Sequence, residues 1–266
     1  WAWEFFTVVL KIPADRLWVS VYKDDAEAYG IWKDVMKIPQ QRIIKFGEKE
    51  NFWPSEAPTK GPNGPCGPCS EIFFDYGKDV GCGKPDCTPA CDCGQFVEVW
   101  NLVFTQFDRQ PDGSLKPLPS KNIDTGMGLE RIASVMQGVK TNFDIDIFKP
   151  VVAGIEEMGA GGRGQGARPR VNAIADHIRA VTFCIADGVM PSNEERGYVV
   201  RKLIRRAMLH GKEIGIREPA LYKLLSIITD MMKEQYPELK AKRDDIAQVV
   251  KREEENFLFV IENQLP

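Results

Sequence analysis

The eight residues DTGMGLER, beginning at Asp124, place a carboxylate, two glycines and a guanidinium close together in the chain. Apolar residues at helical spacing follow and predict a helix that begins near Met127. Asp124 would then precede the positive end of this helix, while Gly126 and Gly128 would let a ligand approach the backbone. This combination suits a ligand that carries an ammonium group and phosphates. The alternative is a surface helix whose free N–H groups are capped by Asp124 and Thr125.

The preceding segment, FVEVWNLVF, has the composition of a strand. Alternation places Asn101 and Val103 on one face, where an amide beside a small apolar side chain suits a compact, polar substrate. An edge polar residue next to a core valine explains the same spacing. Glu98 falls on the opposite face, together with Trp100 and Phe104. Without a β-bulge, Glu98 therefore faces away from Asn101 and is expected to be structural.

Four closely spaced cysteines lie in the segment CGKPDCTPACDC. Glycine and proline between the thiols favour a tight turn, and in a reducing compartment such thiols bind metal more often than they form disulfides. A reduced surface loop is the alternative. Two further cysteines, Cys66 and Cys69 in GPCGPC, are expected in a rigid loop near the site. The predicted ligands of a structural Zn²⁺ are Cys82, Cys87, Cys91 and Cys93.

A basic stripe lies on a helix predicted to begin with a capping box of Ser192 and Glu195 and to continue to about His210. Apolar residues occupy one half of the helical wheel, and basic residues occupy the other half. Such a stripe on an acidic protein suits a phosphate backbone, and the alternative is a solvated charged face. Its members are Arg201, Lys202, Arg205 and Arg206.

The elements that would position these residues alternate in the first part of the chain. Apolar periodicity predicts a helix to about Lys11, a strand at 16–22, a helix at 24–37 and a short strand at 42–46. The segment 54–68 holds five prolines and three glycines, which predict an ordered loop without regular structure. Two longer strands then flank the cysteine-rich segment.

The strands are not spaced as regular βαβ units, so the predicted fold class is α/β of the α+β type, with a largely antiparallel sheet and flanking helices. The first domain is expected to cover residues 1–150. The glycine-rich segment 159–170 is typical of a surface loop, and a helical pattern follows it. The second domain, residues 151–266, is therefore predicted to be all-helical.

Composition limits the class of protein. The chain has 266 residues, of which 43% are hydrophobic, enough for one large or two ordinary domains with real cores. The sequence has neither an apolar run of transmembrane length nor a signal peptide, so we expect a cytoplasmic protein without a membrane partner. The net charge of −3 gives no general affinity for nucleic acid. Both ends lie within helical patterns, which indicates an interior part of a longer protein.

Four segments, in this order and at these separations, resemble the alanyl-tRNA synthetases, a family of class II aminoacyl-tRNA synthetases. They are NFW…GPCGPCSEIFFD, EVWNLVFTQF, DTGMGLERIA and ADGVMPSNEERGYVVRKLIRRA. Residues 124–132 resemble motif 3 of class II, while GPCGPC and SNEERGYV are typical of the alanine enzymes. The resemblance covers nearly the whole chain and implies a class II type of sheet followed by a helical tRNA-recognition domain.

The resemblance implies roles for the residues in and around DTGMGLER. Asp124 would hold the α-ammonium group of L-alanine, and Gly126 would form the floor of the side-chain pocket. Arg131 would contact ATP, a role that suits a guanidinium because it can stack on a purine and pair with phosphate oxygens. The rest of a pocket sized for a methyl group would come from Trp53, Asn101 and Val103.

The implied reaction is ATP-dependent activation of L-alanine to alanyl-adenylate, followed by transfer to tRNA(Ala). Positioning, and neutralisation of phosphate charge by arginine and Mg²⁺, would supply most of the rate enhancement. Glu71 and Glu98 are candidates for a metal or ATP role, and Gly128 would leave room for ATP at the backbone. A pocket for a methyl group discriminates poorly against glycine and serine. The family corrects such errors in a separate editing domain, which is expected to lie outside this chain.

The resemblance also implies that the helical domain docks the acceptor stem of tRNA(Ala). Asn193 matches the asparagine that reads the G3·U70 pair through the minor groove, where an amide can both donate and accept hydrogen bonds. As the first residue of the predicted helix, Asn193 would project from its end. Motifs 1 and 2 of the class are not found in the sequence, so we expect little activation activity from the chain by itself. The competing hypotheses are a non-catalytic tRNA-binding module and a class II ligase for another amino acid.

Overall fold

The computed structural model describes residues 1–159 and 166–264. The chain divides into two compact units, Trp1–Asn142 and Phe143–Pro266. This division lies before the expected boundary at residue 150, because residues 143–150 already belong to the second unit. Phe148 is buried, and the guanidinium of Arg179 lies over its ring at 4.5 Å from the centroid.

A six-stranded sheet forms the centre of the first unit, all of whose residues the structure describes. The strand order is β2-β1-β4-β5-β6, with β3 paired to β4. β1 and β2 are parallel, and every other pair is antiparallel, which confirms the predicted mixed architecture with a largely antiparallel sheet. The strands are β1 (Leu17–Tyr22), β2 (Ile43–Phe46), β3 (Phe52–Trp53), β4 (Gly64–Asp75), β5 (Phe96–Arg109) and β6 (Leu115–Met127).

Three helices of the first unit pack on one face of this sheet. α1 (Ala2–Glu4) continues as a π-helical turn, Phe5–Val9, and α2 (Ala26–Gly30) continues as a second such turn, Ile31–Val35. They bury Phe6 and Trp32 in a core shared with alternate residues of the strands, such as Val19 and Ile72. α3 (Leu129–Met136) adds Ile132 to the same core. Because side chains alternate along a strand, the residues between these core positions point to the other face of the sheet.

The structure corrects the prediction for segment 54–68, because residues 64–68 belong to β4. The β4–β5 register shifts between Cys66 and Cys69, and this irregularity accommodates the prolines of GPCGPC within a strand. Gly67 permits a close approach of the two strands. An added Cβ there would lie 2.8 Å from the carbonyl carbon of Phe104 and still closer to its oxygen. GPCGPC is therefore a bulged strand with two buried cysteines, and not a loop.

Helices form the described part of the second unit, as predicted, together with 3₁₀ turns at Asn142–Asp144 and Leu221–Leu224. Residues 160–165 of the predicted glycine-rich loop lie outside the described part. The loop is shorter than expected, since its last residues already belong to a helix. No described helix combines the length and apolar character needed to cross a membrane. The helices are α4 (Lys149–Met158), α5 (Ala167–Ala186), α6 (Glu195–Glu213), α7 (Leu225–Met232) and α8 (Pro237–Gln264).

The start of α6 differs from the prediction. Ser192 Oγ donates to the Glu194 carbonyl oxygen at 2.8 Å and accepts from the Glu194 N–H at 3.3 Å, so it closes a local turn. The predicted capping box is therefore wrong, and Glu194 is the N-cap without a side-chain hydrogen bond. Asn193 lies two residues before the helix instead of at its first position.

Candidate functional site

A row of paired residues crosses the sheet on the face opposite the helical core. Glu71 of β4 lies between Ser20 of β1 and Asn101 of β5, and Asn101 pairs in turn with Gly126 of β6. Paired residues on neighbouring strands point to the same side of a sheet. We call this side the site face. It brings together a carboxyl group, an amide and a bare backbone.

A second row lies beside the first on the site face. Cys69 of β4 pairs with Val103 of β5, and Val103 pairs with Asp124 of β6. Val103 is 7% exposed, so it forms a buried apolar patch next to the exposed carboxylate of Asp124. The predicted alternation of Asn101 and Val103 on one face is confirmed.

Asp124 is part of β6 and does not precede a helix directly. Its Oδ1 accepts the backbone N–H of Thr125 at 2.8 Å, and Thr125 Oγ1 donates to the carbonyl oxygen of Asn101 at 2.8 Å. α3 begins only at Leu129, with Gly128 as its N-cap. Neither the expected position of Asp124 beside the helix end nor the alternative of a capped surface helix is therefore correct.

The two glycines of the motif have different surroundings. An added Cβ at Gly126 would meet no atom of the described chain within 4 Å, so open space lies above this position. An added Cβ at Gly128 would lie 3.0 Å from Cδ of Arg131. Gly126 thus leaves room for a ligand, whereas Gly128 leaves room for the Arg131 side chain.

Glu71 is the most densely bonded acid of the site face. Its Oε2 accepts from Ser20 Oγ at 2.9 Å and from Asn51 Nδ2 at 3.1 Å, and its Oε1 accepts from Asn101 Nδ2 at 3.4 Å. Burial raises the pKa of Glu71 to about 7, and the negative charge of Glu98 adds to the shift. The carboxyl group is held in place by neutral donors and lacks a basic partner among these bonds.

Sequence reasoning did not find Asn51 or Ser20. Asn51 is fully buried and donates to Ser20 Oγ at 2.9 Å as well as to Glu71, while its Oδ1 has no hydrogen-bond partner among the residues that the structure describes. The Oδ1 atom of Asn101 is likewise buried, without a partner in the described part of the chain. Ser20 could have been recognised in the sequence, because it is the one serine in the otherwise apolar and aromatic strand β1. Asn51 precedes a two-residue strand, and no local pattern marked it.

The structure overturns the expected orientation of Glu98. Ile72 pairs with Trp100 and Phe73 pairs with Glu98, so Val99 is an extra residue in β5 and forms a β-bulge. The bulge changes the parity of the strand, and Glu98 points to the site face, near Glu71. The expectation that Glu98 faces away from Asn101 is therefore wrong.

Arg131 extends from α3 to this bulge. Its Nη1 donates to the carbonyl oxygen of Glu98 at 2.8 Å and to Glu98 Oε2 at 3.1 Å. The side chain of Arg131 is 44% exposed, and its guanidinium keeps donors available to a ligand. Trp53 of β3 pairs with Gly67 of β4, four residues along the strand from Glu71, and is 51% exposed.

The four clustered cysteines lie in the connection between β4 and β5, and their sulfur atoms are all within 4.8 Å of one another. A tetrahedral ion with metal–sulfur bonds of about 2.3 Å needs sulfur atoms roughly 3.8 Å apart. Hydrogen bonds from backbone N–H groups, that of Gln95 foremost, lower the pKa of Cys93, whereas the pKa values of Cys87 and Cys91 are raised, so one thiolate is favoured among these three thiols. These observations fit a metal ion. The cluster consists of Cys82, Cys87, Cys91 and Cys93.

A family model described as tRNA synthetases class II (A) matches residues 1–263 of the chain. The chain belongs to this family. Nearly all of its length is thus a class II synthetase sequence, which accounts for the mostly antiparallel sheet and for the position of DTGMGLER between its edge strand and a helix.

Three curated relatives of the chain are named alanine–tRNA ligase. The protein of Endomicrobium trichonymphae is 50% identical over 264 residues, which are 99% of this chain and 29% of the relative. The protein of Desulforamulus reducens is 49% identical over 97% of this chain and 29% of its own length. The protein of Acetivibrio thermocellus is 49% identical over 100% of this chain and 30% of its own length. The chain therefore spans less than a third of the relatives that it matches.

The basic residues of α6 do not form one free stripe. Glu253 of α8, which is 5% exposed, lies 3.2 Å from Arg201 Nε and 2.9 Å from Arg205 Nε, measured to its Oε1. Lys202 and Arg206 are exposed. The wheel of α6 showed only which residues are basic, whereas the packing of α8 places one buried carboxylate against two of the four.

Asn193 lies in the loop that leads into α6 and is exposed. Its Oδ1 accepts a hydrogen bond from Arg201 Nη1, and Arg201 Nη2 also lies 3.5 Å from the carbonyl oxygen of Pro191. Arg201 of α6 thus holds the side chain of Asn193 in place.

Proposed function

We propose that this chain is part of an alanine–tRNA ligase that activates L-alanine with ATP and transfers it to tRNA(Ala). The observation that carries the proposal is the pairing of Glu71, Asn101 and Gly126 in one row of the site face. This row sets a carboxyl group, an amide and an open backbone side by side. Such an arrangement suits a small amino acid next to a nucleotide. The cytoplasmic location expected from the sequence belongs to the same proposal.

In this proposal Asp124 binds the ammonium group of L-alanine, because it presents an exposed carboxylate beside the apolar side chain of Val103. The methyl group of the substrate occupies the space above Gly126, where no protein atom lies within 4 Å of an added Cβ. Trp53 and Asn101 complete the pocket. The Oδ1 atom of Asn101 is a buried acceptor without a hydrogen-bond partner among the described residues.

Arg131 contacts ATP through donors that Glu98 does not use, and its attachment to the bulge holds the guanidinium over the site face. Mg²⁺ is the ion that Glu71 and Glu98 would bind, since two neighbouring carboxyl groups without a basic partner at Glu71 favour a cation. A bound cation supplies charge that stabilises the phosphates. Gly128 leaves the space in which Arg131 packs at the start of α3.

The chemistry that these residues would position has two steps. An oxygen of the alanine carboxylate attacks the α-phosphorus of ATP, the bond to the bridging oxygen breaks, and pyrophosphate leaves. A hydroxyl group at the 3′ end of the tRNA then attacks the carbonyl carbon of alanyl-adenylate, and AMP leaves. Both steps depend mainly on positioning and on stabilisation of phosphate charge.

The second unit binds the acceptor stem of tRNA(Ala) in this proposal. Lys202 and Arg206 are exposed cations that suit the phosphate backbone. Arg205 contributes less charge, because Glu253 lies 2.9 Å from its Nε. Asn193 reads the G3·U70 pair through the minor groove, a role supported by its exposed position on an anchored loop. A structural Zn²⁺ on the four clustered cysteines completes the set of ligands.

The test is alanine-dependent ATP–pyrophosphate exchange by a full-length protein that carries this chain, with serine and glycine as competing substrates. We expect alanine to support exchange most strongly. If no small amino acid supports exchange while the protein still binds tRNA, the chain belongs to a non-catalytic tRNA-binding module. Exchange with an unrelated amino acid would instead identify another class II ligase.

A further inference from the structure

The loop that carries Asn193 is fastened to the first turns of α6. Gly197 lies directly under it, because an added Cβ at Gly197 would lie 2.9 Å from Cβ of Ser192 and closer still to its Oγ. The backbone N–H of Ser192 donates to the carbonyl oxygen of Gly197 at 3.0 Å. The loop therefore has a fixed backbone path over the start of the helix.

Arg201 joins this loop to α8. One end of its guanidinium donates to Asn193 Oδ1 and lies 3.5 Å from the carbonyl oxygen of Pro191. The Nε atom of Arg201 lies 3.2 Å from Oε1 of the buried Glu253. The side chain of Arg201 is only 22% exposed. Its charge is thus partly offset by Glu253, and its two Nη atoms are directed at the loop, which leaves little for a phosphate.

We propose that Arg201 is a positioning residue that orients the amide of Asn193 for base reading and does not itself bind the tRNA backbone. The bond from Arg201 occupies one lone pair of Asn193 Oδ1, which fixes the plane of the amide. Asn193 is exposed, and this bond leaves the two N–H groups of Nδ2 and the second lone pair of Oδ1 available to a base edge. This inference rests on the proposed reading of a G·U pair by Asn193.

Arg205 provides a matched comparison on the same helix. It shares Oε1 of Glu253 with Arg201, at 2.9 Å from its own Nε. Its guanidinium lies over the ring of Phe257 of α8, at 5.0 Å from the centroid, so both interactions lead away from the loop. A substitution at Arg205 removes the same charge next to the same acid while the bond between Arg201 and Asn193 remains.

The experiment compares two acceptor-stem minihelices that differ only in the third pair, G·U or G·C, as substrates of a full-length protein carrying this chain. The measured quantity is the ratio of kcat/KM for aminoacylation of the two minihelices. We expect Arg201→Gln to lower this ratio roughly tenfold, as for the loss of a charged hydrogen bond. Alanine-dependent ATP–pyrophosphate exchange should stay at its original rate. Arg205→Gln should leave the ratio of kcat/KM at the value of the original protein.

Two further variants separate the explanations. Arg201→Lys keeps a charge beside Glu253 but lacks the planar guanidinium. It should therefore fold normally and still lower the ratio of kcat/KM. If Arg201→Gln does not fold, this variant carries the test. In an Asn193→Ala background, Arg201→Gln should lower the ratio no further, because the two residues act as one unit.

The outcomes distinguish this inference from the proposed function. If Asn193→Ala leaves the ratio unchanged, the proposed role of Asn193 fails. If Asn193→Ala abolishes the preference but Arg201→Gln and Arg201→Lys keep it, only the positioning role fails. Equal losses on both minihelices, with a weaker salt dependence of binding, would show that Arg201 contacts phosphate and would overturn the inference.

Discussion

Glu98 and Glu71 lie on the same face of the sheet, because the bulge at Val99 changes the parity of β5 and points Glu98 to the site face. Glu98 also accepts hydrogen bonds from Arg131, so one carboxylate links the acid at the centre of the site to the arginine at its rim. The charge of Glu98 adds to burial in raising the pKa of Glu71 to about 7. The stability of the first unit should therefore depend on the protonation of Glu71.

The folded state retains a proton on Glu71 that the unfolded chain, with an ordinary pKa of 4.5, releases. The stabilising effect is complete below pH 4.5 and is lost as the pH rises toward about 7. Without added divalent cations, the free energy of unfolding of the first unit should fall over this range. The loss attributable to Glu71 should be about 2–3 kcal/mol. Denaturant unfolding followed by tryptophan fluorescence measures it selectively, since all six tryptophans lie in the first unit.

Glu71→Gln is the control for this pH dependence. The amide keeps the shape of the side chain but does not titrate, so the fall in stability between pH 4.5 and 7 should largely disappear. Added Mg²⁺ should stabilise the original protein more than the variant at pH 8. An unchanged pH profile in Glu71→Gln would assign the effect to another group.

Gly126→Ala should block the pocket without disturbing the fold. The new methyl group meets no protein atom within 4 Å but occupies the space assigned to the methyl group of the substrate. In a full-length protein carrying this chain, kcat/KM for alanine in ATP–pyrophosphate exchange should fall about 10- to 200-fold. Activation of glycine should fall less, because glycine has no methyl group to displace.

Gly30→Ala is the matched control for this substitution. An added Cβ at Gly30 of α2 also meets nothing within 4 Å, and the position lies outside the site face. This variant should retain alanine activation. Equal losses in both variants, or a uniform loss for alanine and glycine in Gly126→Ala, would contradict the assigned pocket.

Gly67→Ala should destabilise the first unit, in contrast to Gly126→Ala. The added Cβ would lie 2.8 Å from the carbonyl carbon of Phe104, so β4 and β5 must separate. Overpacking of this kind costs about 1–3 kcal/mol, and backbone atoms yield less than side chains do. Tryptophan fluorescence during denaturant unfolding compares the two variants directly. Equal stability of both would mean that the strands are not in close contact at Gly67.

The cysteine cluster should bind one Zn²⁺ per chain. Replacement by Co²⁺ should give the visible absorption of a tetrahedral thiolate site, and elemental analysis should give the stoichiometry. Cys87→Ser should lose the ion, because it removes one of the four ligands. Cys184→Ser, which alters a cysteine on α5 outside the cluster, should retain it. Metal-free protein with an intact cluster would support the reduced loop instead.

Lys202 and Arg206 should contribute electrostatically to the binding of an acceptor-stem duplex. Lys202→Gln and Arg206→Gln should each weaken binding equally for G·U and G·C stems. Each should also reduce the slope of log K against log salt by about one unit. Lys240→Gln removes an exposed charge from α8 and serves as the control. Salt slopes that match the control would place the phosphate contacts elsewhere.

Local patterns were sufficient where a property follows from neighbouring residues in the chain. Alternation placed Asn101 and Val103 on one face, and helical periodicity predicted the helical second part of the chain. The motif resemblance identified the family because four segments kept their order and spacing. The start of α6 was misjudged, since Ser192 bonds within its own turn when the loop is packed against Gly197.

Properties that depend on two distant segments were decided only by the tertiary structure. The sequence by itself determined which residues are present to do chemistry: the carboxylate of Asp124, the open backbone of Gly126 and the thiols of the cysteine cluster. Packing decided which way Glu98 points, because a bulge arises from the fit of β5 to β4. Packing also decided that Arg201 faces the buried Glu253 and Asn193, since a helical wheel specifies an angle around one axis but not the neighbour that fills it.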